Sequence, residues 1–300
     1  MPDTTTALHS PERRAPAGPR RIARGDSDYP VSLYDLSDPP RELWAIGCAE
    51  LARAAPVVAV VGTRSSTPYG EKMTRELVRA LARAGACVVS GMARGIDAAA
   101  HRAALEEGGR TVAVLGTGVD VPYPVGHRTL HELIGRRGLV LSESGPGTRA
   151  FRGCFPRRNR IIAALATVTI VVEAGVQSGA LNTAMQAHDL GRTIGAVPGP
   201  IDTLQAQGTN GLIRDNGAVM ISDVADAIAL VGLTPPVRVP RSVDGPDAAA
   251  VWSALADGPL DSDALCSKSA LPAHRCLAAV TELELMGAIE CGLTGLIQRR

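Results

Sequence analysis

From residue 56 onward the chain alternates short apolar, β-branched runs with stretches of helical periodicity. The runs cover residues 57–61, 87–90, 111–115, 139–142, 168–173, 193–197 and 219–221. They are apolar without alternation, as strands buried on both faces should be. Helical spacing fills the intervals at 70–84, 96–107, 127–136, 159–166, 179–190 and 222–231. This βαβα order predicts an α/β fold, a parallel sheet with helices on both faces. Residues 234–246 (TPPVRVPRSVDGP) have the Pro-rich composition of an interdomain linker. Beyond it, helices are expected at 248–256, 262–267 and 273–286. A hairpin of 288–291 with 296–299 across 292–295 would complete an order resembling a winged helix. Residues 1–28 combine Pro, Ser and Arg with almost no aliphatics, and are expected to form a disordered basic tail. The expected organisation is therefore that tail, a main domain at 29–233 with a short extension at 29–55, the linker, and a small domain at 247–300.

Composition first argues for something bland. Hydrophobic residues make up 45% and charged residues 20% of the 300, which excludes wholesale disorder. No apolar run approaches the roughly 18–20 residues that span a bilayer, and the N-terminus has no apolar core of a secretory signal. The six cysteines are scattered without a CxxC pair, against a zinc knuckle or a disulfide framework. A soluble, cytoplasmic protein without membrane contact is expected. A formal net charge of +1 speaks against a nucleic-acid partner. Its distribution reverses that reading, because residues 1–160 carry +7, the linker +2, and residues 161–236 and 244–300 −4 each. Eight Arg fall within 128–160, and both Phe residues of the chain, Phe151 and Phe155, lie among them.

Ligands of open parallel sheets bind beyond the carboxyl ends of the strands, where four segments carry candidate chemistry. The first, GTRSSTPYG at 62–70, sets glycine, hydroxyls and Arg64 before a helix start, a recipe for an anion. The second, SGMARGID at 90–97, repeats it with Ser90, Gly91 and Arg94. Asp97 is expected to cap or complement that helix, and His101 to pack inside it. In the third, FPRRNR at 155–160, Phe155, Arg157, Arg158, Asn159 and Arg160 combine cations and a ring as single-stranded nucleic acid requires. Charge reversal at Arg64 or across 158–160 is expected to weaken DNA binding without unfolding. The fourth, EAGVQSGALNT at 173–183, places Ser178 and Gly179 at a helix N-terminus. Glu173 is either a catalytic carboxylate or a partner orienting a neighbouring Arg, and the second reading is preferred. His127 and His131 have i, i+4 spacing but no third ligand, so no metal is assigned. No catalytic residue and no cofactor is assigned, since neither a Walker A sequence nor a GxSxG elbow is present.

These blocks, together with AVLGTGVDVPYP (113–124), VPGPI (197–201) and NGLIRDNGA (210–218), resemble the DNA-processing protein A family, also called Smf. The resemblance implies an extended Rossmann-like sheet domain that binds single-stranded DNA, forms homodimers through that domain and loads RecA recombinase onto incoming strands during natural transformation. It also implies a non-enzymatic role. The carried-over contact set is Arg64, Ser90, Gly91, Arg94, Phe155, Arg157, Arg158, Asn159, Arg160, Ser178 and Gly179. Two departures stand out: the family's Asn after the YP turn is His127, and the Lys beside it gives way to Val125 and Gly126. The helical domain that precedes the sheet in longer members is expected to be truncated. In the small domain, His274 and Arg275 face Glu282 and Glu284 as a poor match to DNA, which points to a protein-interaction module. The alternatives are a nucleotide phosphoribohydrolase resembling the LOG family, whose PGGxGTxxE block the fourth segment lacks, and a winged-helix transcription factor.

Overall fold

The computed structural model describes residues 18–53, 56–234, 245–292 and 295–299. It divides into two compact units, 1–235 and 236–300. In the larger unit nine strands form one sheet: β1 Arg20–Ala23, β2 Glu42–Gly47, β3 Val57–Val61, β4 Cys87–Ser90, β5 Arg110–Leu115, β6 Leu139–Ser142, β7 Val168–Val171, β8 Thr193–Ala196 and β9 Val219–Met220. Their order is β1-β2-β6-β5-β4-β3-β7-β8-β9. The segment β3–β9 is parallel, as its apolar runs predict, whereas β1 and β2 add an antiparallel edge beside β6. Seven α-helices accompany the strands among the described residues: α1 Pro68–Arg83, α2 Ile96–Glu106, α3 Arg128–Arg137, α4 Cys154–Leu165, α5 Gly179–Asp189, α6 Gln207–Asp215 and α7 Val224–Leu230.

Alternate residues of each inner strand feed opposite layers. Val57, Ala59 and Val61 pack with Ile161, Ile162 and Leu165 of α4 and Ala184 of α5. Val58 and Val60 pack with Leu77 and Leu81 of α1, Ala100 of α2 and Ile228 of α7. Helices on both faces explain why these strands read as unbroken apolar runs rather than alternating ones. The chain steps outward from β3 to β6, then α4 carries it back to β7 on the other side of β3. The order reverses there, the position at which open sheets form ligand crevices.

The N-terminal expectation needs correction. Residues 20–28 are not tail: Ile22 is buried against the sheet, while Arg20 pairs with Asp28 at 2.6 Å and Arg21 with Glu42 at 2.6 Å. Two cations attributed to a free basic arm are thus held by acids within the fold. Residues 1–17 and 235–244, the rest of the expected tail and most of the linker, lie outside the described residues. Among the described residues, no helix is long and apolar enough to cross a membrane.

The smaller unit contains α8 Pro246–Ala254, α9 Ser262–Ser269 and α10 Ala273–Leu285, followed by β10 Ile289–Cys291 paired antiparallel with β11 Ile297–Arg299. This is the expected winged-helix order, closed around Val251, Leu265, Leu283 and Ile289. Both Nε and Nη2 of Arg275 donate to the Asp247 carboxylate, so one of the two basic groups at the head of α10 is already neutralised.

Candidate nucleic-acid interface

Three segments leaving β3, β4 and β5, with the heads of α3 and α4, surround a pocket of about 560 Å³. Each is held by buried polar contacts. Thr67 caps α1 by accepting from Gly70 N–H, and its own N–H and hydroxyl both donate to Glu173. Glu173 is 4% exposed, and a Cβ on Gly70 would collide with its carboxylate. The acid therefore anchors the first segment and orients no Arg, contrary to the preferred expectation. Its two oxygens each accept from Thr67.

The second segment is gripped from two sides. Asp97 accepts from the N–H groups of Gly91 and Ala93, while Arg158 of α4 donates through Nη1 to the carbonyls of Gly91 and Val114. Asp97 thus serves the loop rather than the cap of α2, where Gly95 is the N-cap residue. Gly91 has no Cβ because one would overlap the Arg158 guanidinium. Burial pushes the Asp97 carboxyl above its usual range, opposed by Arg158 and by its backbone donors. Arg158 is itself 6% exposed; burial lowers its proton affinity, Asp97 raises it and Arg64 lowers it. His101 packs inside as expected: the Thr111 hydroxyl donates to Val88, so His101 Nδ1–H donates to Thr111 at 2.7 Å. Burial, then Arg158 and His127, lower its pKa to about 3.

The third segment is not a loop. It forms the first turns of α4, and helical geometry sends its cations in different directions. Phe155 faces the pocket, with its ring 4.9 Å from that of Tyr123 and the Arg64 guanidinium carbon 5.3 Å from its centroid. Arg158 forms the buried floor. Arg157 and Arg160 instead pair with Glu143, at 3.0 and 2.7 Å, and Arg160 also donates to the carbonyl of Asp38. Asn159 donates to Gly179 and Asn182, joining α4 to α5. Ser90 is fully buried and donates to the Val60 carbonyl, so it ties β4 to β3 and presents nothing to a ligand. Ser178 caps α5 as predicted and Gly179 is exposed beside it; neither lines the pocket.

Of the eleven candidates, Arg64, Gly91, Arg94, Phe155 and Arg158 converge on the pocket. Sequence reasoning did not place Arg102, Tyr123 or His127 there. Tyr123 lies inside a quoted motif, one residue before its end, and Arg102 directly follows His101, so adjacency was the only signal. His127 donates to the Met92 carbonyl at 3.0 Å and His131 to that of Val119 at 2.6 Å, which gives both a structural occupation. Among the described residues no cluster is placed to hold a metal ion. Four Arg and no carboxylate line the pocket. Arg64, Arg94 and Arg102 are exposed, and none is paired with an acid among the described residues. Such a site attracts a polyanion and offers a base two rings.

Residues 20–232 match the family described as DNA recombination-mediator protein A, and residues 234–292 match the DprA winged helix domain. The chain is 44% identical over 227 residues to a Mycobacterium tuberculosis protein named DNA processing protein DprA, spanning 72% of this chain but only 58% of that relative's length. It is 42% identical to the DNA processing protein DprA of Streptococcus pneumoniae, covering 68% of this chain and 71% of the relative. The solved S. pneumoniae structure superposes with a TM-score of 0.67 at 41% identity, over 70% of this chain and 73% of that one. DNA processing protein A of Helicobacter pylori, solved for its single-stranded DNA binding mode, gives 0.64 at 31% identity, over 70% of this chain and 94% of that one.

Proposed function

The chain belongs to the DNA recombination-mediator protein A family, and on that premise we propose that it binds single-stranded DNA at the Arg-lined pocket and delivers the strand to a RecA-class recombinase, without catalysis. Membership makes it a DNA-processing protein of recombination. The observation that carries the finer reading is four guanidiniums around one pocket, no carboxylate, and the Phe155–Tyr123 pair as its wall. The H. pylori neighbour's single-stranded DNA binding supports the ligand. The proposed contacts are Arg64, Arg94, Arg102, Phe155 and Tyr123, with the exposed Gly179 at the head of α5 farther along the strand; the Ser178 N–H already donates to the Gly175 carbonyl. Arg157 and Arg160 are assigned to Glu143 and the fold. Delivery to RecA and homodimerisation rest on the family resemblance.

Fluorescence anisotropy of labelled oligo(dT), in competition with an equal-length duplex over a salt series, tests the reading. Binding should weaken steeply with salt, as phosphate contacts release counterions, and unlabelled single strand should displace the probe far better than duplex. Equal competition by duplex, or affinity unchanged in Arg64→Ala, would overturn it. Faster RecA filament formation on strands coated with a single-strand-binding protein tests delivery separately.

A further inference from the structure

Two thiols meet in the core of the smaller unit. α9 ends at Ser269 and α10 begins at Ala273, with Ala270 in the left-handed region (φ 56°) between them. This tight turn brings Cys266, near the end of α9, beside Cys276, one turn into α10. Cys276 is buried with Val251, Leu265 and Leu283, and Cys266 packs against the same core while staying partly exposed. The Cys276 thiol donates a hydrogen bond to the Cys266 sulfur and accepts one from the Ser269 hydroxyl at 3.9 Å. Burial, then the bond to Cys266, pushes the Cys276 thiol above its usual range, with the Ser269 hydroxyl opposing. Burial and then the Glu284 carboxylate push the exposed Cys291 thiol up as well. The thiolate is the form that reacts, so exposure alone does not make Cys291 the reactive cysteine.

We propose that Cys266 and Cys276 form an oxidation site, at which hydrogen peroxide closes a reversible disulfide between α9 and α10. Cys266 is the thiol that the oxidant reaches, and Cys276 is its resolving partner. The deprotonated Cys266 sulfur attacks one peroxide oxygen and the O–O bond breaks, leaving a sulfenic acid and a hydroxide that takes a proton. The Cys276 sulfur then attacks the Cys266 sulfur; the S–S bond forms, the S–O bond breaks, and hydroxide leaves with the Cys276 proton as water. Two thiols thereby lose two electrons and two protons, and one peroxide becomes two waters. The bond ties two of the helices of the winged-helix unit at their turn, and a small thiol releases it by exchange. Nothing in this step involves the Arg-lined pocket, so it stands or falls apart from the DNA reading.

The test is peroxide treatment of the reduced, full-length chain, followed by alkylation of the remaining thiols and peptide mass spectrometry. Cleavage after Lys268, Arg275 and Glu290 places Cys266, Cys276 and Cys291 on separate peptides. The number of alkylatable thiols should fall by two, with a linked Cys266–Cys276 peptide that dithiothreitol returns to its halves. Neighbouring groups react at high effective concentration, so this link should form at least about tenfold faster than any product at Cys291. In Cys276→Ser, shown to be folded by circular dichroism, Cys266 should persist as a sulfenic acid that dimedone traps, an adduct scarce in the wild type. Oxidation of Cys291 while Cys266 and Cys276 stay alkylatable would overturn the proposal. So would wild-type Cys266 passing on to sulfinic acid with Cys276 still reduced, a result that needs no variant to fold.

Discussion

Replacing Arg158 by methionine should cost the protein its fold long before it costs a DNA contact. The side chain is buried and donates through one nitrogen to the carbonyls of Gly91 and Val114, joining α4 to the ends of β4 and β5. Hydrogen bonds from a charged donor are worth roughly 1.5–3 kcal/mol each. Their loss also leaves the buried Asp97 carboxylate without its compensating cation, and removing one member of a buried charge arrangement typically costs about 3–5 kcal/mol. A destabilisation of at least about 4 kcal/mol follows, a large part of the 5–15 kcal/mol that holds a typical domain together. Arg64→Ala is the matched control. That side chain is exposed and unpaired with any acid among the described residues, so stability should stay within about 0.5 kcal/mol. Its loss should instead flatten the dependence of log K on log salt by about 0.7 per phosphate contact removed. Urea denaturation followed by circular dichroism reads the first effect, and oligo(dT) anisotropy over a salt series reads the second. Arg158→Met unfolding at the wild-type urea midpoint would refute the reasoning, as would Arg64→Ala destabilised to the same extent.

Removing either pocket ring, by Phe155→Ala or Tyr123→Ala, should weaken oligo(dT) binding by the about 1–3 kcal/mol of a stacked base, roughly fivefold to 150-fold, with little change in slope against salt; an unchanged anisotropy isotherm would remove the ring from the contact set. Gly91→Ala brings a methyl group into the Arg158 guanidinium and should cost about 1–3 kcal/mol of stability, visible as a lowered melting temperature. His101 predicts a pH dependence. Its folded pKa of about 3 lies below the ordinary value near 6.5, so the folded state binds fewer protons than the unfolded one. The stability this contributes is complete above about pH 6.5 and is lost as pH falls toward 3, at up to about 1.4 kcal/mol per unit. Between pH 6.5 and 5 the wild type should lose about 2 kcal/mol more than His101→Gln in urea titrations; parallel losses would show that His101 is not the group responsible.

The inner strands were legible because residues feeding two layers must be apolar on both sides, and Val57–Val61 shows this in five consecutive letters. β1 was not, because it buries only Ile22 and owes its pairing to β2, about twenty residues away. α6 was missed for a related reason. Its QGTNGLIRD sequence has poor helix propensity, and it is held by tertiary bonds such as Gly208 to Ala174 and Asn210 to Gly199. At the pocket, composition pointed to residues that the fold brings together in part, such as Phe155 and Arg158, but could not sort its cations. Four letters, RRNR, become an outward Arg157, a buried Arg158, an Asn159 bonded to α5 and an Arg160 bound to Glu143, since each step along a helix turns the side chain about 100°. The acid Glu143, fourteen residues before Arg157, neutralises much of a patch that regional charge counted as free. The pocket itself required β3, β4 and β5 to be adjacent, which no local pattern states.

Photocrosslinking tests the placement of the strand most directly. An oligo(dT) carrying 5-iodouridine at one position is bound to the full chain, irradiated, and the crosslinked peptide is mapped by mass spectrometry. Attachment at Tyr123 or Phe155, lost when salt displaces the strand, is the expected result. Attachment confined to residues 246–299 of the winged-helix unit, with none on the segments following β3, β4 and β5, would contradict the central claim.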